Sequence, residues 1–417
     1  MFRGCNLGFW FRIPLWQRVV AALILGIITG LVWGEGAVAI KWIGDLFIRA
    51  IKMLVVPLIF FSLVAGVASI GDIRKLGAVG GRAMLFFLVT GQISVLLGLA
   101  MGTLIKPGLG VDASLAGVSQ TPAPPQTGIT DMILKMVPEN VVQAMATMDV
   151  LALIVFSLLL GIGILMAEKD GEPVARIFDS GAVIMQKVTI LVMELTPFGV
   201  FALMAWVAGT FGFEGLIPLA KLVALNYIGC AIIILVMYSA MIKFMAKLPV
   251  IDFFRGMIDA IAVSYSTASS NATLPVTLRC TQRNLGVSTS VSSFVVSLGA
   301  TINMNGTAMY LGLATLFGAQ IFGVDLSWGD YVMIAVTSTL GAVGAAGIPG
   351  AGLIMMALVF GSVGVPLETI ALVAGVDRIM DMIRTTTNIT GDAAVAVTVA
   401  AMTGELNREE MISDDDV

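Results

Sequence analysis

Long apolar runs dominate the chain, separated by short polar or glycine-rich interruptions. A helix that crosses a bilayer needs about 20 apolar residues. Runs of that kind fall at 16–34, 38–69, 76–105, 131–167, 175–206, 216–246, 285–320 and 366–402. The pattern predicts an all-α polytopic membrane protein with eight transmembrane helices. Two segments, 252–280 and 329–362, fit badly: each is moderately apolar, broken by small polar residues and centred on Pro or Gly.

Basic residues orient this map. Arg12 and Arg18 precede the first span, Arg74, Lys75 and Arg82 follow the second, and Lys169 and Arg176 separate the fourth and fifth. Lys243, Lys247 and Arg255 follow the sixth, whereas 207–215 and 321–330 carry no Lys or Arg. The positive-inside rule then puts the N-terminus in the cytoplasm. With Lys243 and Lys247 before it and Arg279 and Arg283 after it, 252–280 must leave and return on one side, as a re-entrant hairpin. Segment 329–362 does the same from outside, so the last span ends in the cytoplasm before Arg408. Two tips entering from opposite sides point to an inverted repeat meeting at the midplane.

Composition agrees. The chain of 417 residues is 58% hydrophobic and 12% charged, with mean hydropathy +1.00; a soluble domain carries about 25% charged residues. The net charge of −4 gives no footprint for nucleic acid, and much of the acid lies in the tail "REEMISDDDV". Cys5, Cys230 and Cys280 form neither a disulfide framework nor a metal spacing. There is no histidine, so proton chemistry falls to carboxyl groups. Arg3, Arg12 and Arg18 before "VVAALILGIITGLVWG" have a signal-peptide layout, but the run is long for a signal core and the charge pattern uses it as a retained span. The Pro-rich stretch 118–128 reads as an extended connector.

Four interruptions carry candidate chemistry. In the last span Asp377, Asp381, Arg384, Asn388 and Asp392 follow at steps of four, three, four and four, which puts them on one helical face. A central charge costs about 2.5–3.5 kcal/mol on insertion scales, so with Arg378 included the row faces protein, water, ions or solute rather than lipid. Internal salt bridges that only join helices are the alternative; Thr385, Thr386 and Asn388 add oxygens such bridges do not need. In "SYSTASSNATLPVT" small polar residues cluster before Pro275, and a chain break is expected there. "GAVGAAGIPGAG" allows a tight tip, close helix packing being its alternative. In "GATINMNGTAMY", Asn303, Asn305, Gly306 and Thr307 favour local unwinding, against a simple glycine kink.

Together these segments supply many oxygens and a guanidinium. Hard oxygen ligands suit Na⁺, and Asp392, Asn388, Asn303 and the Gly299 carbonyl form one candidate site. Arg384 suits a bidentate grip on a carboxylate. Asp381, one turn earlier, suits an ammonium. Such a pair describes an amino acid with an acidic side chain.

Over nearly its full length the chain resembles the dicarboxylate/amino acid:cation symporters, the glutamate and aspartate transporter family. The most specific motifs are "SSNATLP", "GATINMNGT", "GIPGAG" and "DMIRTTTNITGD". The resemblance implies eight transmembrane helices plus two re-entrant hairpins, and a homotrimer in the cell membrane with both termini cytoplasmic. It implies a scaffold, a mobile transport domain and elevator-type alternating access with the second hairpin as gate. Its divisions are scaffold helices in 1–75, a transport-domain helix in 76–106, mixed helices in 107–250, the transport core in 251–405 and an acidic tail in 406–417. It implies that Arg384 holds the substrate side-chain carboxylate and Asp381 the amino group. Ser269, Ser270, Thr307, Thr385 and Asn388 complete the pocket, with backbone from Ile348 and Gly352. One sodium falls to Gly299, Asn303, Asn388 and Asp392, and a second to carbonyls of Thr301, Ala342, Val343 and Ala345.

Departures from the family pattern bear on coupling. Asn305 stands where the family reads Asp, and Gly91 beside Thr90 where a serine is common, which weakens a third cation site at Thr90, Asn303 and Asn305. Leu311 replaces the Gln or proton-carrying Glu, and Ala268 and Met382 occupy positions that often hold an arginine. The expectation is two sodium ions rather than three. A proton-coupled or dicarboxylate symporter and an ion channel are the other readings. An intramembrane enzyme lacks HExxH, GxSxG and a second catalytic segment.

Overall fold

The computed structural model describes residues 13–68, 77–109, 134, 137–345 and 347–407. Helices make up nearly all of it; among the described residues there is no strand, only a bridge between Val287 and Leu406. Arg3, Arg12, Arg74, Lys75, the connector 118–128, Arg408 and most of the tail 406–417 lie outside the described residues.

The first helices are α1 (Leu15–Trp33), α2 (Lys41–Ala68), α3 (Ala78–Ile105), α4 (Val150–Met166) and α5 (Glu168–Met193). Asp149 starts α4, its carboxylate accepting from the Ala152 N–H at 3.2 Å. Helix α6 (Thr196–Ile232) continues through two wide π-type turns to Ala246. Then come α7 (Ile258–Thr267) and α8 (Ser270–Arg279), α9 (Thr289–Ile302) and α10 (Asn305–Phe322). The last are α11 (Trp328–Gly344), α12 (Ala351–Val363) and the 36-residue α13 (Glu368–Thr403).

The expected interruption at 207–215 falls at Gly212, where two helical stretches meet at a kink (φ 61°, ψ −158°). Two expectations need correction. Within 131–167, the long helix begins only at Val150, after a short one at Val141–Ala146. Pro275 does not mark the break in its segment: it lies inside α8, and the chain breaks at Ala268–Ser269. The Ser269 side chain caps α8 by accepting from the Ala272 N–H at 3.2 Å, and that cap places the break.

Leu15–Ala68, Val79–Ile105 and Thr196–Ala246 are stretches long and apolar enough to cross a membrane. Large apolar side chains also face outward: Val32, Leu104, Met166 and Leu191 are 83%, 81%, 79% and 71% exposed. So much outward apolar surface is stable against lipid and not against water. By contrast α13 is enclosed on all sides, with every residue from Arg384 to Ala400 buried. It packs against α1, α3, α6, α7, α8, α9, α10 and α12. The charged row is therefore carried by a helix that is covered along most of its length.

Candidate functional site

Two breaks and one unwound turn converge on the middle of α13. The turn is Asn303–Met304, between α9 and α10, where both residues leave helical geometry (φ/ψ −95°/63° and −98°/63°). The first tip is Ala268–Ser269. The second lies between Gly344 and Ala351 and touches the first: the Ser269 hydroxyl and the Asn271 N–H both donate to the Gly347 carbonyl, at 2.8 and 3.0 Å.

Arg384 is the centre of the site and is fully buried. One guanidinium nitrogen, Nη2, donates to Oδ1 of Asp377 and to Oδ1 of Asp381, each at 2.8 Å. The plane lies over the Tyr310 ring at 3.8 Å, and the Tyr310 hydroxyl donates to Asp377 at 2.9 Å. Nε and Nη1 have no hydrogen-bond partner. The other oxygen of Asp381 accepts from the Gly350 N–H at 2.9 Å, with Gly350 in the left-handed region (φ 79°). Gly352 presses on the same guanidinium: a Cβ there would lie 3.0 Å from Nη1, so a side chain would fill the space beside the free donors.

Eight residues further along α13, Asp392 is fully buried and faces no cation. Its Oδ1 accepts from the Asn303 amide at 3.0 Å, and its Oδ2 has no partner. A Cβ on Gly299 would sit 2.5 Å from Oδ1, so glycine leaves the cradle beside this carboxylate open. Buried carboxylates are paired or hold metal ions, and the surrounding oxygens are the hard kind a sodium ion takes. Among the described residues no cluster of three or more acidic, Cys or His side chains is present, so any cation here rests on one carboxylate plus amides and carbonyls.

The remaining predicted residues divide. Asn388 joins both halves: its oxygen accepts from the Gly306 N–H at 2.8 Å and its amide reaches Thr307 at 3.4 Å. Ser270, Thr385 and Ile348 are buried. Ala342, Val343 and Ala345 flank the C-terminal end of α11, where the last carbonyls lack intrahelical donors; the Ala342 carbonyl accepts from the Ala345 N–H at 3.3 Å. Thr301 lies at the matching end of α9. The two ends approach, for a Cβ at Gly347 would stand 2.9 Å from the Ala300 carbonyl. Thr90 reaches Asn303 and Asn305 at 3.4 Å each. Asn305 also donates to the Tyr238 hydroxyl at 2.8 Å.

Sequence reasoning gave no role to Tyr238, Tyr310, Asn226 or Tyr227. Asn226 and Tyr227 hold the carbonyls of Met380 and Ile379 at 3.3 and 3.0 Å, steadying the turn of α13 that carries Asp381. A polar tip inside an apolar run was the available signal, since a buried Tyr hydroxyl usually finds a partner.

A membrane-type helical protein with broken helices converging on a buried row of charge has the form of a solute carrier. The family comparison says which: the chain matches the Sodium:dicarboxylate symporter family over residues 15–402, and it belongs to that family. It is 36% identical to the proton/glutamate-aspartate symporter of Escherichia coli (strain K12), over 95% of this chain and 94% of that one. It is 34% identical to the proton/sodium-glutamate symport protein of Geobacillus stearothermophilus, over 96% and 97%. A C4-dicarboxylate transport protein of Bacillus subtilis (strain 168) stands at 35%, over 95% of each chain. The family consists of transporters, so the protein is not an enzyme.

Proposed function

We propose that the protein is a secondary active transporter that carries an acidic amino acid, aspartate or glutamate, together with sodium ions. The observation that carries this reading is a pairing on one helix. Arg384 keeps two buried donors free beside Asp381, and Asp392 keeps a buried acceptor free beside Asn303. A substrate carboxylate fits the first, a substrate ammonium competes for Asp381, and Na⁺ neutralises the second. Ser269, Ser270, Thr307, Thr385, Asn388 and the backbone at Ile348 and Gly352 complete the substrate pocket.

A second sodium goes to the carbonyls of Thr301, Ala342, Val343 and Ala345. The Asn305 bond to Tyr238 supports a stoichiometry of two rather than three, because the amide meets a hydroxyl where a third ion would need a carboxylate. The helix pairs α7–α8 and α11–α12 serve as re-entrant hairpins within eight spans. Packing supports the division into scaffold and carrier: α1 runs along α6 and α2 along α4 and α5, whereas α3 runs along α10 and the breaks gather on α13. The carrier half then moves as an elevator within a homotrimer of the cell membrane, both termini cytoplasmic.

The test is uptake of radiolabelled aspartate and glutamate into proteoliposomes, with sodium, proton and potassium gradients imposed separately. A sodium gradient alone should drive accumulation, and Arg384→Cys should abolish it. Uptake that rises with the third power of sodium concentration refutes the two-ion stoichiometry. One observation favours a C4-dicarboxylate instead: both Asp381 oxygens already have protein donors, so no ammonium is required to satisfy them. Succinate that competes as well as aspartate would select that reading.

A further inference from the structure

Arg378 is a second buried guanidinium on α13, 7% exposed, and it belongs to neither of the two groups above. Among the described residues it makes no ion pair. Its Nη2 donates to the Thr267 carbonyl at 3.0 Å, and its Nε has no partner. It lines a small, partly open cavity with Asp377, Pro349, Gly350, Leu353, Met193 and Thr196. Arg378 thus touches the first tip directly and borders the second.

The bond to Thr267 falls where the backbone is least comfortable. The next residue, Ala268, is buried and adopts the left-handed conformation (φ 50°, ψ 42°), which a residue with a Cβ disfavours. Such a conformation persists only where the surroundings hold it. The carbonyl just before it is the one that Arg378 grips. From there the contacts continue in a ring. Ser269 and Asn271 hold the Gly347 carbonyl of the second tip, and the Gly350 N–H of that tip holds Asp381, three residues from Arg378.

We propose that Arg378 is a positioning residue that clasps both tips to α13. It fixes the first tip in the strained shape that presents Ser269 and Asn271 to Gly347, and so keeps the second tip closed over Asp381. Its target is a backbone carbonyl, not the solute. The functional meaning rests on the transport reading above: loss of the clasp loosens the cover of the pocket without removing a substrate ligand.

Hydrogen exchange by mass spectrometry on the full-length protein in lipid nanodiscs, without substrate, tests this for wild type, Arg378→Met and Arg378→Lys. Lysine can still donate to the Thr267 carbonyl; methionine cannot. In Arg378→Met, exchange should rise about tenfold or more in 267–272 and 347–351, as expected when a buried charge-assisted bond is lost. It should stay at the wild-type rate in 299–307 and along α3. Arg378→Lys should recover most of the protection. In proteoliposomes Arg378→Met should raise KM about tenfold with maximal uptake within about twofold. Unchanged exchange at both tips, a rise spread evenly over the chain, or failure of lysine to restore protection overturns the clasp. Should Arg378→Met fail to assemble, Arg378→Leu against Arg378→Lys gives the same comparison. The exchange readout needs no solute, so a wild type that takes up no acidic amino acid refutes the transport reading separately.

Discussion

Arg384 and Asp392 lie about 12 Å apart along one helix, and the protein treats their charges in opposite ways. Arg384 has two carboxylates on one nitrogen, an aromatic ring beneath it and two donors to spare. Asp392 has one amide and no cation. The first region already pairs its guanidinium internally, and under the proposed function an incoming anion takes the free donors while the internal carboxylates loosen. In the second region, among the described residues, no side chain brings positive charge to Asp392. Under the same proposal the anion enters by competition and the cation by supplying the charge that Asp392 lacks, a short length of α13 away. Under the proposed function this difference supplies a physical basis for symport: each ligand leaves a less uncompensated interior for the other.

The largest way to break the comparison is Arg384→Met. It strands Asp377 and Asp381 in a buried site, and breaking a buried pair costs about 3–5 kcal/mol. Affinity for the acidic solute should fall about a thousandfold, read by binding calorimetry in saturating sodium. Asp392→Asn acts on the other pole. The slope of uptake against sodium concentration should fall by about one and uptake should fall about a hundredfold. The same variant should be more stable than wild type in sodium-free buffer, by about 1–3 kcal/mol, because it removes an unpaired buried carboxylate. Tyr310→Phe deletes only the hydroxyl bond to Asp377 and keeps the ring under Arg384; a loss of about 1–2 kcal/mol in solute affinity is expected, seen in the same titrations. The smallest effect sharpens the contrast. Asn305→Asp adds a second carboxylate beside Thr90 and Asn303, and the slope of uptake against sodium concentration should rise by about one.

Much of this contrast was legible in the sequence, because helical spacing alone puts Asp377, Asp381, Arg384, Asn388 and Asp392 on one face. The unwound turn at Asn303 was legible for a similar reason: asparagine and glycine interrupt an apolar run. Partners were not. That Asp381 faces the Gly350 N–H depends on a tip brought from 31 residues away, and that Asn305 meets Tyr238 depends on the course of α6. Boundaries failed where a local rule had a competitor. The proline rule points to Pro275 as the break, but the Ser269 cap and the Arg378 grip on Thr267 place it at Ala268. The interruption at 207–215, a stretch without Lys or Arg, was by contrast legible, and Gly212 leaves helical geometry there.

The central claim is that the missing partner of Asp392 is a sodium ion, and thermal unfolding of the purified protein against sodium concentration tests it most directly, with choline replacing sodium at constant ionic strength. Wild type should gain about 2.7 kcal/mol from the Asp392 site when sodium reaches a hundred times that site's dissociation constant, and Asp392→Asn should lose that share and keep only what the carbonyl site supplies. A wild type indifferent to sodium, or an Asp392→Asn protein that sodium stabilises equally, would contradict it.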